Sequence, residues 1–153
     1  MTNLLKAALL PALTALAGRA ESSLGATGGA YAGVDVLAGQ PFAGTQGRLN
    51  PADAPVQFAP SVEGNAPGTA GRWQANADVQ YPLGARGAAW SPYAGAGLCL
   101  VGGAEKKGRS VGVNFLGGVN VAIGPLDGFV QARLTLAHGV HLSLTAGAVP
   151  SGV

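Results

Sequence analysis

The chain has 153 residues, a formal net charge of +2, and charged side chains at only 10% of positions, against about 25% in ordinary soluble domains. It carries 26 glycines, a hydrophobic fraction of 48% and a single cysteine, which excludes an intramolecular disulfide and a cysteine metal cluster, and so small a net charge makes no case for nucleic acid. The length fits one domain, enough for a closed eight-stranded barrel of about that size but not for a wide porin.

Residues 1–20 have the make-up of a secretory signal peptide. Lys6 supplies the positive end, Ala7 to Ala17 an apolar core, and Ala15-Leu16-Ala17 a cleavage site, with Gly18-Arg19-Ala20 as a second candidate. An ordinary N-terminal helix is the alternative, since Leu and Ala favour helix. The segment is short for a membrane-spanning helix and has Pro11 in its middle. Export from the cytoplasm follows from the signal reading, and residues 21–153 form the remaining domain.

From Leu24 to Ala38 the pattern has period two. Ala26, Gly28, Ala30, Ala32, Val34, Val36 and Ala38 share one face, and Thr27, Tyr31 and Asp35 the other. Gly39 to Pro55, rich in Pro and Gly, reads as a loop with one weak strand near Ala43–Leu49. Val56, Phe58 and Val62 alternate with Gln57, Ser61 and Glu63, a short strand marred by Pro60. Asn65 to Gly71 is a turn by composition.

The clearest element comes next. From Arg72 to Tyr81, Trp73, Ala75, Ala77, Val79 and Tyr81 alternate with Arg72, Gln74, Asn76, Asp78 and Gln80, giving one apolar and one polar face. Its span is about what a tilted strand needs to cross a bilayer. Pro82 to Gly87 breaks the ladder and Ser91 to Val101 resumes it, with Tyr93, Gly95 and Gly97 opposite Ala94, Ala96, Leu98 and Leu100. Gly102 to Arg109 is a charged loop. Val111, Val113, Phe115, Gly117, Val119, Val121 and Ile123 then oppose Ser110, Asn114 and Asn120, and Gly124 to Gly128 is a tight turn. Val130, Ala132, Leu134 and Leu136 oppose Gln131, Arg133 and Thr135. After a turn at His138-Gly139, Val140, Leu142, Leu144, Ala146 and Ala148 oppose His141, Ser143 and Thr145.

No stretch after residue 20 has sustained helical periodicity, so no helix is available to cover the apolar faces. The sheet either turns those faces inward, as in a soluble barrel or sandwich, or outward to lipid. The polar faces favour the second. Asp35, Glu63, Arg72, Asn76, Asp78, Gln80, Gln131, Arg133 and His141 mix both signs with amides, while Lys is confined to Lys6, Lys106 and Lys107. A soluble exterior would be rich in Lys and Glu; acids and Arg among amides suit an enclosed, hydrogen-bonded lumen in which Arg forks to carboxylates. Open sheet edges cannot face lipid, so the sheet closes. The expectation is an all-β fold, a closed antiparallel up-and-down transmembrane β-barrel of eight strands.

From Arg72 onward the chain resembles the bacterial outer-membrane β-barrel domain family, the small barrels of the outer-membrane protein X type and the membrane domain of the protein A type. The resemblance is carried by Val79-Gln80-Tyr81-Pro82-Leu83-Gly84, Ser91-Pro92-Tyr93-Ala94-Gly95-Ala96-Gly97-Leu98, Val113-Asn114-Phe115-Leu116-Gly117-Gly118-Val119, Gly128-Phe129-Val130-Gln131-Ala132-Arg133-Leu134 and Leu144-Thr145-Ala146-Gly147. It covers about half of the chain well and the N-terminal half loosely. It implies eight antiparallel strands in a Gram-negative outer membrane, with both termini in the periplasm. Seven strands are evident, which leaves the eighth to Ala43–Leu49. The family's last strand usually ends in an aromatic residue that assists insertion. Here it runs out through Pro150-Ser151-Gly152-Val153, which predicts weaker membrane assembly or an incomplete C-terminus.

For chemistry, the Gly-rich stretch Gly25–Gly33 has neither dinucleotide nor phosphate-loop spacing before a helix. His141-Leu142-Ser143 is the one enzyme-like pattern. Some lipid-modifying outer-membrane barrels resemble it, with a His-x-Ser plus an acid. Here no acid side chain follows Asp127, and the pair lies on the polar face, away from acyl chains. Satisfied lumen residues are the preferred reading, and His138 is a turn residue. No catalytic residue, metal or cofactor is expected. The function expected is a non-enzymatic outer-membrane barrel, structural or surface-interacting, its lumen plugged by polar side chains. Its surroundings are outer-membrane lipid, with no nucleic acid and an unidentified surface-loop partner. The alternative is a soluble or periplasmic barrel holding an apolar ligand, with Trp73 and Phe115 lining the pocket. A lipid-modifying hydrolase or a small pore ranks below both.

Overall fold

The computed structural model describes residues 26–51, 54–65, 71–84, 88–103 and 108–151. The signal segment 1–20 and residues 104–107 of the charged loop lie outside these. Eight strands follow in chain order: β1 (Ala26–Asp35), β2 (Gln40–Leu49), β3 (Gln57–Asn65), β4 (Trp73–Pro82), β5 (Trp90–Gly102), β6 (Ser110–Ile123), β7 (Leu126–Leu136) and β8 (Val140–Pro150). Each pairs antiparallel with its sequence neighbours, and β8 closes on β1 through the register Ala30↔Ala148 to Asp35↔Ser143. The result is an up-and-down barrel. The ends of β1, β3, β5 and β7 mark its distal rim; the proximal rim carries the start of β1 and the end of β8.

The boundaries differ from the sequence reading in places, each for a local reason. β1 stops at Asp35, short of Ala38, because its carboxylate Oδ1 accepts the backbone N–H of Leu37 and Ala38 (both 3.1 Å) and turns the chain. β2 is a full strand from Gln40, where a loop with a weak strand is expected. Its glycines and Pro41 depress strand propensity, yet β1 pairs with it over its whole length and supplies the partners its composition does not advertise. Pro41 lies beyond the β2–β3 register, which starts at Phe42↔Asn65. Pro60, which has no N–H to give, leaves a gap in that register between Gln46↔Ser61 and Leu49↔Phe58. The β6–β7 turn is tighter than the expected Gly124–Gly128: β7 begins at Leu126, and Gly124 adopts φ +60°, which glycine takes without strain.

Alternation sorts side chains to the two sides of the wall, and paired residues carry the parity around the barrel, as in Ala30↔Thr45, Thr45↔Val62, Val62↔Ala75 and Ala75↔Leu100. Along the eight strands this outward face has no charged residue, and apart from its Tyr and Trp rings Thr45 is its one side chain with a polar group. Large apolar groups stand exposed on it, among them Phe58, Tyr81, Trp90, Leu98, Phe115, Ile123, Val130 and Leu144. Trp73 and Phe115 point out as well, 37% and 52% exposed, so neither lines an internal pocket as the soluble alternative requires. The arrangement is the reverse of a soluble core: buried positions are largely polar.

Candidate functional site

The interior is built from one parity of every strand. At its centre Arg133 on β7 bridges two carboxylates, with Nη1 3.0 Å from Glu63 Oε2 and Nη2 2.9 Å from Asp78 Oδ2. Arg133 and Asp78 are almost wholly buried. A charge so enclosed is tolerated only when paired and hydrogen-bonded. The Tyr31 hydroxyl donates to Glu63 Oε2 (2.7 Å), and Asn114 Nδ2 donates to Asp78 Oδ1 (2.9 Å), completing the shell on the acids.

Amides extend this network toward the distal rim. Asn114 Nδ2 also lies 2.9 Å from Asn76 Oδ1, which accepts from Gln74 Nε2 at 2.6 Å, while Asn76 Nδ2 donates to Ser61 Oγ at 3.0 Å. Thr135 donates to Asn114 Oδ1 (2.8 Å). Arg72 then closes the top, with Nη2 on Gln74 Oε1 (3.0 Å) and Nη1 facing both Asp35 Oδ2 (3.3 Å) and His141 Nδ1 (2.7 Å). His141 Nδ1 is itself 2.9 Å from Asp35 Oδ2. One nitrogen cannot donate to Asp35 and accept from Arg72 at once, so the tautomer selects between these two bonds.

The lumen is also partly aromatic. Tyr31, Phe42 and Phe129 meet edge to face, with Tyr31 ring centroids 6.4 and 6.3 Å from the other two. The Arg48 guanidinium lies 5.3 Å over the Phe129 ring and donates to Asn120 Oδ1 (2.8 Å). Tyr93 donates to Gln131 Oε1 at 3.0 Å. These rings fit because glycine stands opposite them: a Cβ on Gly44 would meet the Tyr31 ring, and one on Gly118 the Tyr93 ring. An eight-stranded interior is just wide enough for side chains to fill.

Similarity to known proteins is confined to structure. No family model matches the chain, and no curated protein matches its sequence. Among solved structures, the N-terminal β-barrel domain of Pseudomonas aeruginosa OprF aligns with a TM-score of 0.66 at 15% identity, over 82% of this chain and 94% of that one. Neisserial surface protein A (NspA) aligns with a TM-score of 0.65 at 18% identity, over 84% and 97% respectively. The chain shares the barrel fold of these two proteins.

Within the barrel, the residues singled out from sequence fall into three groups. Asp35, Arg72 and His141 meet at the distal mouth; Glu63, Asn76, Asp78 and Arg133 form the centre; Gln80 and Gln131 lie buried elsewhere on the inward face. Gln80 is 2% exposed, and neither atom of its amide group has a partner among the described residues. Arg48, Gln46 and the aromatics Phe42 and Phe129 belong to the same interior but escaped the sequence reading. The first three sit on β2, whose parity is hidden by its glycines, and Phe129 interrupts an otherwise polar face.

The structure supplies an acid for His141 that chain order does not suggest, namely Asp35 from β1, with Ser143 opposite it in register. No hydrogen bond joins His141 to Ser143 among the described residues, however, and its Nε2 lies 3.7 Å from where a Cβ on Gly139 would stand. Among the described residues, no group of three or more His, Cys, Asp or Glu is placed to hold a metal ion.

Proposed function

We propose that this chain is a non-enzymatic outer-membrane β-barrel with a structural or surface-interaction role, its lumen closed by its own side chains. The observation that carries the reading is the distribution of polarity. The outward face of all eight strands is free of charge, while Arg48, Glu63, Asp78 and Arg133 point inward. Such a wall is unfavourable in water, where 18 large apolar side chains on its strands stand exposed, and favourable in hydrocarbon. Closure leaves no sheet edge to meet lipid. The structural likeness to a protein named for its place at the surface, NspA, supports the same location. In this reading the segment 1–20 is the export signal, and the loops at one rim present the interaction surface.

Fractionation tests the proposal. The chain expressed in a Gram-negative host should sediment with outer membranes, dissolve only with detergent, and migrate differently on gels before and after boiling. Recovery of the folded chain in buffer without detergent overturns the reading.

A further inference from the structure

We propose that the distal mouth of the barrel is a binding site for a small organic anion, with a phosphate- or carboxylate-type head held by Arg72, Arg109 and His141 and a short apolar body against Val101 and Ala137. These residues line a cavity of about 300 Å³ together with His138. That volume is at the lower end of small-molecule sites, which run from about 300 to 1,000 Å³.

The charge pattern specifies the ligand. The described lining contains two arginines and two histidines and no carboxylate. Arg72 is partly balanced from the lumen side by Asp35, 3.3 Å away. Arg109 is exposed and has no hydrogen bond or ion pair among the described residues. Two guanidinium groups sharing a concave mouth raise its potential, and an anion bound between them relieves their repulsion. His141 contributes in the tautomer whose Nδ1 accepts from Arg72 Nη1 (2.7 Å), which puts its proton on Nε2, on the Gly139 side, as a donor toward the rim. The planar donor fork of Arg matches phosphate and carboxylate oxygens, whereas a neutral ligand would leave that of Arg109 unpaired. The cavity is inside the rim, so the site does not depend on the medium around the outer wall.

Phenyl phosphate, which has both the head and the body, is the probe, titrated calorimetrically into the folded chain in a neutral maltoside detergent. One saturable site is expected, with inorganic phosphate at least tenfold weaker and phenol without measurable binding. Arg109→Gln should weaken phenyl phosphate at least tenfold, and Arg109→Lys less. Arg109 makes none of the lumen contacts, so both variants should keep the heat-dependent gel shift of the parent, which separates a lost site from a lost fold. Absence of saturable binding, phenol binding as tightly as phenyl phosphate, or an unchanged affinity in Arg109→Gln overturns the proposal. Repeating the titration in nanodiscs identifies the source of the anion. Loss of the signal when phosphatidic acid replaces part of the phosphatidylcholine assigns the site to a lipid headgroup; an undiminished signal assigns it to a soluble anion.

Discussion

Asn76 and Ala77 are neighbours on β4 that face opposite sides of the wall. Asn76 is buried among Gln74, Ser61 and Asn114, and Ala77 is exposed on the outer face. If that face meets lipid, an arginine there costs roughly 2–4 kcal/mol near the bilayer midplane. Ala77→Arg, and Ala132→Arg on β7, should therefore strongly reduce folding into lipid vesicles, measured as the fraction with folded gel mobility. Asn76→Ala should be milder, since its amide neighbours can re-pair. Arg133→Ala is a different case: it strips the buried Asp78 and the half-buried Glu63 of their shared cation, and removing one partner of a buried pair costs about 3–5 kcal/mol. Arg133→Met combined with Glu63→Gln and Asp78→Asn should recover most of that loss in urea unfolding from vesicles, because no unpaired charge remains.

At the level of strands, adjacent glycines on β6 give a matched comparison. Gly117 faces outward, and a Cβ added to it would have the Tyr93 carbonyl oxygen at 3.8 Å as its one neighbour within 4 Å. Gly118 faces inward, and its Cβ would collide with the Val130 carbonyl oxygen and the Tyr93 ring. Gly117→Ala should be neutral or stabilising by about 0.5–1 kcal/mol, through the entropy glycine loses on folding. Gly118→Ala should destabilise by about 1–3 kcal/mol, because backbone or ring must shift. Unfolding midpoints of the two variants check the pair; equal effects would mean that neither the Val130 carbonyl nor the Tyr93 ring stands against Gly118. The same geometry explains why β4, β6 and β7 are readable from sequence and β2 is not. In β4 each inward position is polar and each outward one apolar up to Tyr81, whereas β2 puts Gly44 inward, Gly47 outward and Phe42 inward. Small and aromatic residues at inward positions serve space-filling, so they blur the polarity signal there.

For the molecule as a whole, the central bridge and the aromatic cluster together fill the bore, with Tyr31 common to both. The distal cavity is a mouth above this plug, lined by Arg72 and His141 from the top of the network. Protein reconstituted into planar bilayers should thus show no stable, large single-channel steps. Their appearance would contradict a side-chain plug and require the Arg133 bridge to open.

What the sequence by itself determined is local. Period-two alternation settles which side chains share a face, because successive residues on a strand must point to opposite sides, and the scarcity of charge settles that one of those faces carries none. The tertiary structure decided who meets whom. Arg133 finds Glu63 and Asp78, 70 and 55 residues away, and Asp35 finds His141 across 106. Those partners follow from strand register and from closure of β8 on β1, which depend on every connection and on the packing of all eight inward faces together. Alternation is unchanged by a register slip of two residues, whereas each of these contacts would be lost, and so only the closed barrel specifies them.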